Sequence, residues 1–372
     1  MTNRELIQQP IIDKIVEDDF HGIINLATGV GKTRIIIKAI EQGSFKSILW
    51  LCATDKFRDE GLYKELDKWS SKDLKSIIKP ICWESLENHK GEYDLIVADE
   101  IQKITPARNQ YFLKNKYNKI LGATGTMPRS KEKKEILKTL NLVTLWSKDV
   151  DEAVDEELIS DYTVDIVYVD IDDTTKITKK TRTGASFIVT EKSSYDWYCR
   201  KINELYETGQ RDLHKKTSMG RARFLYNSET KLHASIKIMN KYKHQRLISF
   251  SKSVEVAERL SKCTFHSKLN KDKKKENYNN FNEKKYNHIS TVEAANTSLN
   301  FIDLEVAFIT QLDSNPGNLL QRMGRVLRFE TGKKAKIVIL CMKNTRDEDW
   351  VLECIQGLDS SKINHFKLEE YI

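Results

Sequence analysis

Residues 26–33 read LATGVGKT, and the reading of this octapeptide decides the fold. A short apolar run, residues 22–27 (GIINLA), precedes it, and residues 34–42 follow with apolar positions at helical spacing. A glycine loop between a buried strand and a helix is the local structure that holds a phosphate chain. Backbone N–H groups of Thr28, Gly29, Val30 and Gly31, with the helix N-terminus behind them, present positive partial charge to phosphate oxygens. Lys32 reaches the β and γ oxygens, and the Thr33 hydroxyl is suited to hold magnesium. The expected cofactors are therefore ATP and Mg2+.

Working outward, residues 47–53, 94–98 and 119–123 are further apolar runs without helical period, separated by stretches with helical spacing. Strands alternating with helices predict βαβ units and a parallel sheet. The pattern resumes at residues 163–170, 246–250, 289–292, 306–310 and 335–341, which predicts a second α/β lobe. Residues 1–145 form the expected first domain and 162–350 the second. Residues 146–161, in an acidic stretch, are the expected hinge. Residues 185–240 are expected as a helical insertion rich in aromatics, 271–285 as a lysine- and asparagine-rich loop, and 351–372 as a C-terminal tail or helix.

The second chemical segment is residues 93–102, YDLIVADEIQ, an apolar run that ends in adjacent carboxylates. Strand ends of an open parallel sheet face the ligand crevice. There Asp99 is placed for a hydrated metal ion and Glu100 for orienting and deprotonating a water. Alone, such a pair more often caps a helix; beside the phosphate loop it gains force. The third segment is residues 321–328, QRMGRVLR, with Arg322, Arg325 and Arg328 at a spacing of three. On a helix these fall along one side and are expected to point at one anionic target, as arginine fingers on a γ-phosphoryl group.

In this order the segments resemble the superfamily 2 helicases of the DExH or DExQ type, which have two RecA-like lobes. LATGVGKT resembles motif I in its AxTGxGKT form, DEIQ at 99–102 resembles motif II, ATGTMPR from Ala123 resembles motif III and QRMGRVLR resembles motif VI. The resemblance implies catalytic roles for Lys32, Glu100, Gln102, Arg325 and Arg328, nucleotide contacts from Gln321 and Asn300, and a base-reading glutamine among Gln8 and Gln9, assigned to Gln9. Glycine replaces the usual alanine of motif III at Gly125, and Ser298 stands where motif V carries glycine. Candidate nucleic-acid contacts are Thr54 and Arg58 at motif Ia, Arg129 after motif III, Ser251 at motif IV and Thr291 at motif V.

The formal net charge of +8 suits a phosphate-backbone partner. Six cysteines without a CxxC pair suggest neither a zinc site nor a disulfide framework. No apolar run approaches a membrane span, so a cytoplasmic protein, bacterial or in a phage-infected host, is expected. The resulting expectation is an ATP-dependent DNA helicase or translocase that hydrolyses ATP in the cleft between its two lobes to move along or unwind DNA. DNA is favoured over RNA, and replication, repair or recombination proteins are candidate partners. The alternatives are an RNA helicase, a duplex translocase or annealing factor that never separates strands, and a binding subunit with structural ATP.

Overall fold

In the computed structural model, which describes residues 3–174, 176–180, 183–292 and 301–372, the chain divides by its internal contacts into two units. The first takes the chain as far as Asp161 together with Met323–Lys333, and the second takes the rest of the described chain to Ile372. Each is built on its own sheet, as the alternating pattern predicts.

In the first unit six strands lie in the order β3-β2-β4-β5-β1-β6. They are β1 (Gly22–Leu26), β2 (Ile48–Cys52), β3 (Ile78–Cys82), β4 (Tyr93–Asp99), β5 (Tyr117–Thr124) and β6 (Thr144–Lys148). All five pairings are parallel. Leu95, Ile96, Val97 and Ala98 of β4 are fully buried, which explains a continuous apolar run in place of an alternating one. Parallel pairing also fixes the chemistry: Asp99 lies opposite Ala123, and Thr124 opposite Asn25. The ends of three neighbouring strands, about 4.8 Å apart, thus bring motifs I, II and III to one edge.

The stretch expected as a hinge, 146–161, carries regular structure and ends at the boundary between the units. β6 continues the first sheet through Lys148, and Val150–Asp155 is a helix whose N-terminus carries a reciprocal cap. Asp149 accepts from the Glu152 N–H at 2.9 Å, while the Glu152 carboxylate accepts from the Asp149 N–H at 2.8 Å. The acidic residues that interrupted the pattern are the first-turn charges that a helix N-terminus favours.

The second unit has the sheet order β11-β12-β10-β13-β14-β7-β15. Its strands are β7 (Asp161–Val169), β10 (Leu247–Ser251), β11 (Thr264–Phe265), β12 (His288–Val292), β13 (Val306–Ile309), β14 (Lys334–Met342) and β15 (Ile363–Lys367), with β8 (Lys176–Lys180) and β9 (Ser186–Thr190) paired apart as an antiparallel hairpin. Helices Glu191–Glu207, Arg211–Tyr226 and Glu229–Lys241 form the expected helical region, which begins later than predicted because β9 occupies its first residues. Tyr195 is buried and its hydroxyl accepts from the Arg346 N–H at 2.7 Å, so this aromatic packs the unit. The lysine-rich 271–285 stretch is largely helix Lys271–Asn282, capped by the Asn270 side chain, with Phe281 fully buried beneath the Arg246 guanidinium.

The predicted tail is also corrected, since β15 adds an edge strand parallel to β7. Its anchor is Asp165, 2% exposed. That carboxylate accepts from Lys336 Nζ at 2.8 Å, Asn364 Nδ2 at 2.9 Å and the Tyr371 hydroxyl at 2.9 Å. Asp165→Ala strands these donors, and the expected cost is about 2–3 kcal/mol. A fall of several degrees in the Tm of the full chain, read by circular dichroism, checks it, and an unchanged Tm refutes the anchoring role.

Candidate nucleotide site

The phosphate loop is held by its glycines. Gly29 and Gly31 adopt φ of 103° and 100°, a region costly for residues with a Cβ. A Cβ at Gly31 would also lie 2.9 Å from Gln8 Nε2. Helix Lys32–Gln42 begins there with no side-chain cap, so its first-turn N–H groups remain directed at a ligand. Lys32 Nζ donates to Leu26 O at 3.0 Å.

Gln8, not Gln9, faces this loop. Its Nε2 donates to Val30 O at 2.7 Å and its Oε1 accepts from Arg34, while Gln9 donates to Asp13 at 2.7 Å. Neighbours on a helix point about 100° apart, so only one of the pair can face the loop. Arg4 Nη2 donates to Gly29 O at 2.5 Å.

At the end of β4, burial and the neighbouring Glu100 push the Asp99 carboxyl up to about 7, against the opposing pull of Lys32. Trp83 Nε1 donates to Asp99 O at 2.6 Å. Glu100 takes φ 54°, ψ 54°, a left-handed conformation uncommon for this residue type, so its backbone is strained where its side chain is displayed. The Gln102 amide donates to the Glu100 carboxylate and accepts from the buried Thr124 hydroxyl at 2.6 Å. One amide, by its fixed donor and acceptor ends, thus links motif II to motif III. At Gly125 an added Cβ would sit a tight 3.2 Å from Thr28 Oγ1 and in ordinary contact, 3.5 Å, with Lys32 Nζ.

The three arginines do not point together, which corrects the helical reading. Helix Pro316–Met323 stops after Arg322, whose buried guanidinium donates to Gln311 O at 2.8 Å and lies 5.6 Å from the Phe250 ring in the second unit. Gln321 is on this same helix. Beyond a turn at 324–326 the chain joins the first unit, where Arg328 bridges antiparallel to Ile159 and its carbonyl accepts from Ser160 Oγ at 2.9 Å. Burial and Arg328 push the Arg325 guanidinium down to about 10, while Glu100 opposes the shift. Arg325, Arg328 and Glu100 are therefore near neighbours. A cavity of about 720 Å³ in the first unit is lined by Lys32, Thr33, Asp99, Glu100 and Arg328, and by residues the sequence reading missed: Arg34, Phe57, Trp69 and Phe329. No sequence signal sets those apart from packing residues.

Thr33, with Asp99, offers hard oxygen ligands beside an electrostatically strained carboxylate pair, which fits a hard dication such as magnesium. Asn300 lies outside the described residues. Among the candidate nucleic-acid contacts, Ser251 (1% exposed) and Thr291 (0%) are buried, because both lie on interior strands of the second sheet, and are corrected to core positions. Arg58 is ion-paired with Asp55 at 2.8 Å and Asp59 at 2.7 Å, and Thr54 accepts the Phe57 N–H at 3.3 Å. Arg129 is exposed.

Two family models match this chain: "Type III restriction enzyme, res subunit" over residues 3–122 and "Helicase conserved C-terminal domain" over residues 230–330. Together the two matches support a superfamily 2 helicase or translocase. Families of this kind are ATPases, which supports a nucleic-acid-dependent ATP hydrolase. The chain is 23% identical to the DNA 3'-5' translocase XPB2 of Sulfurisphaera tokodaii, over 88% of its own length and 79% of the relative's. Among solved structures it is similar to the Type ISP restriction-modification enzyme LlaBIII bound to DNA, with TM-score 0.60, 12% identity and 97% of this chain covered, but it spans 31% of that enzyme's length. The Pyrococcus furiosus Hef helicase domain gives TM-score 0.54 at 13% identity, covering 95% of this chain and 97% of that one. S. cerevisiae Dbp5 bound to RNA and ADP BeF3 gives 0.59 at 10%, covering 94% and 86%. At these identities the structures speak to the fold.

Because the Asp99 pKa is raised from 3.8 to about 7, the nucleotide-free fold loses stability as pH rises through that window. Asp99→Asn removes the charge. Its Tm is expected to exceed wild type by a few degrees at pH 8 and to approach it at pH 4. Scanning calorimetry at the two pH values decides, and an equal or lower Tm at pH 8 refutes the like-charge account.

Proposed function

We propose that this chain is an ATP-driven motor that tracks along or unwinds DNA, with hydrolysis seated in the first unit. The observation that carries the reading is the gathering of the phosphate loop, the Asp99–Glu100 pair and Arg328 around one cavity. In this mechanism Lys32 and the loop N–H groups hold the β- and γ-phosphates. Thr33 and Asp99 hold magnesium, which when bound neutralises charge on the phosphate oxygens. Glu100 accepts the proton of the attacking water, oriented by the hydrogen bond from Gln102. Arg325 and Arg328 stabilise charge developing on the transferred group. The strap that carries them continues directly from helix Pro316–Met323 of the second unit, so chemistry in one unit pulls on the other through the chain. Gln102 and Thr124 pass the state of Glu100 to the loop that follows β5.

DNA is the favoured substrate because the curated relative is named a DNA translocase and the restriction enzyme structure holds DNA. RNA remains the second reading, since the Dbp5 structure is bound to RNA. Phosphate contacts make nucleic-acid binding salt-sensitive and indifferent to sequence. No helix among the described residues is long and apolar enough to cross a membrane; action in the cytoplasm, beside replication, repair or recombination proteins, completes the proposal.

Lys32→Ala and Glu100→Gln are each expected to lower kcat by about a hundredfold or more while leaving DNA affinity within a factor of about three. Phosphate release and filter binding measure the two quantities, and turnover retained in both variants overturns the assignment. Wild-type hydrolysis is expected to rise with DNA more than with RNA of the same length. A rate indifferent to every polymer argues against a motor, and stronger stimulation by RNA selects the second reading.

A further inference from the structure

The cavity of the first unit has a second wall that phosphate chemistry does not use. Arg34 stands two residues beyond Lys32, and its side chain is 12% exposed. Its Nη2 donates to Glu5 Oε1 at 2.9 Å and its Nη1 to Gln8 Oε1, so two contacts hold the guanidinium in place. The Trp69 ring lies 5.0 Å from the guanidinium carbon, and Trp69 is itself oriented by donation from Nε1 to Glu65 Oε2 at 2.8 Å. Arg34 Nε is buried with no hydrogen-bond partner among the described residues. Arg34, Glu65 and Trp69 line the cavity that holds Lys32 and Thr33.

Gln8, the glutamine beside the loop, is already engaged at both ends of its amide, by Val30 O and by Arg34. A glutamine so engaged is poorly placed to be the main contact for a base. A flat cation held at its edge and backed by an indole is well placed, because the π face of a base is attracted to a guanidinium, and lysine offers no such plane. We propose that Arg34, positioned by Trp69, is the platform on which the base of the nucleoside triphosphate stacks. The inference rests on the reading of this cavity as the ATP site. Arg34 touches the base; Trp69 acts through Arg34 as a positioning residue.

The test compares wild type with Arg34→Ala, Arg34→Lys, Trp69→Ala and Trp69→Phe, using ATP and, as a base-free probe of the phosphate loop, inorganic tripolyphosphate. The KM for ATP is expected to rise about tenfold in both Arg34 variants and about threefold in Trp69→Ala, with kcat held within about twofold. Trp69→Phe, which keeps a ring, recovers most of the loss. Inhibition by tripolyphosphate stays as in wild type. An unchanged KM in Arg34→Ala and Arg34→Lys overturns the platform. So does a parallel loss of ATP and tripolyphosphate binding, which marks Arg34 as a strut of the whole site. Equilibrium binding of the same two ligands by calorimetry reads the base contact without turnover. Absent hydrolysis in wild type therefore sinks the motor reading, while equal ATP affinity in wild type and Arg34→Ala sinks this one.

Discussion

Two carboxylates that repel each other, Asp99 and Glu100, are held side by side at the end of a strand whose preceding four residues are fully buried. The rest of the first unit is arranged around that constraint. Lys32 offsets part of the repulsion, and Glu100 sits in a strained left-handed backbone conformation. A carboxylate pair that repels is one that a bound cation would stabilise.

The same constraint explains the hydrogen-bonded chain that leaves the pair. Glu100, Gln102 and Thr124 are joined by an amide whose orientation is set by Glu100, since a carboxylate can only accept. This hydrogen-bonded chain ends at Thr124, next to Gly125, where an added Cβ would lie 3.2 Å from Thr28 Oγ1. Motifs far apart in sequence become one hydrogen-bonded unit because parallel pairing puts their strand ends next to each other.

The arginine segment shows a different economy. QRMGRVLR looks like one helical face, yet Arg322 and Arg328 serve opposite units: the first packs on Phe250 and Gln311, the second on Ile159 and Ser160. A helix end between them lets one short segment belong to both units. Helix Pro316–Met323 of the second unit thus runs on directly into the Arg328 segment of the first.

The sequence by itself determined the two α/β units, the phosphate loop and the paired acids, because buried parallel strands must be apolar throughout and a phosphate loop needs glycines at set positions. Residues 163–170 and 335–341 were legible as strands for the same reason. Tertiary structure decided what period and composition leave open. β6 and β15 are edge strands with a half-exposed or polar side, so their sequences carry no continuous apolar signal, and the acidic stretch around Asp149 reads alike as linker or as capped helix. Whether Gln8 or Gln9 meets the loop, whether three arginines share a face, and whether Ser251 and Thr291 reach a surface all depend on helix phase, on helix ends and on what packs above a strand. Those are fixed only when distant parts of the chain meet, as Arg34 meets Gln8 and Trp69 across separations that no local pattern records.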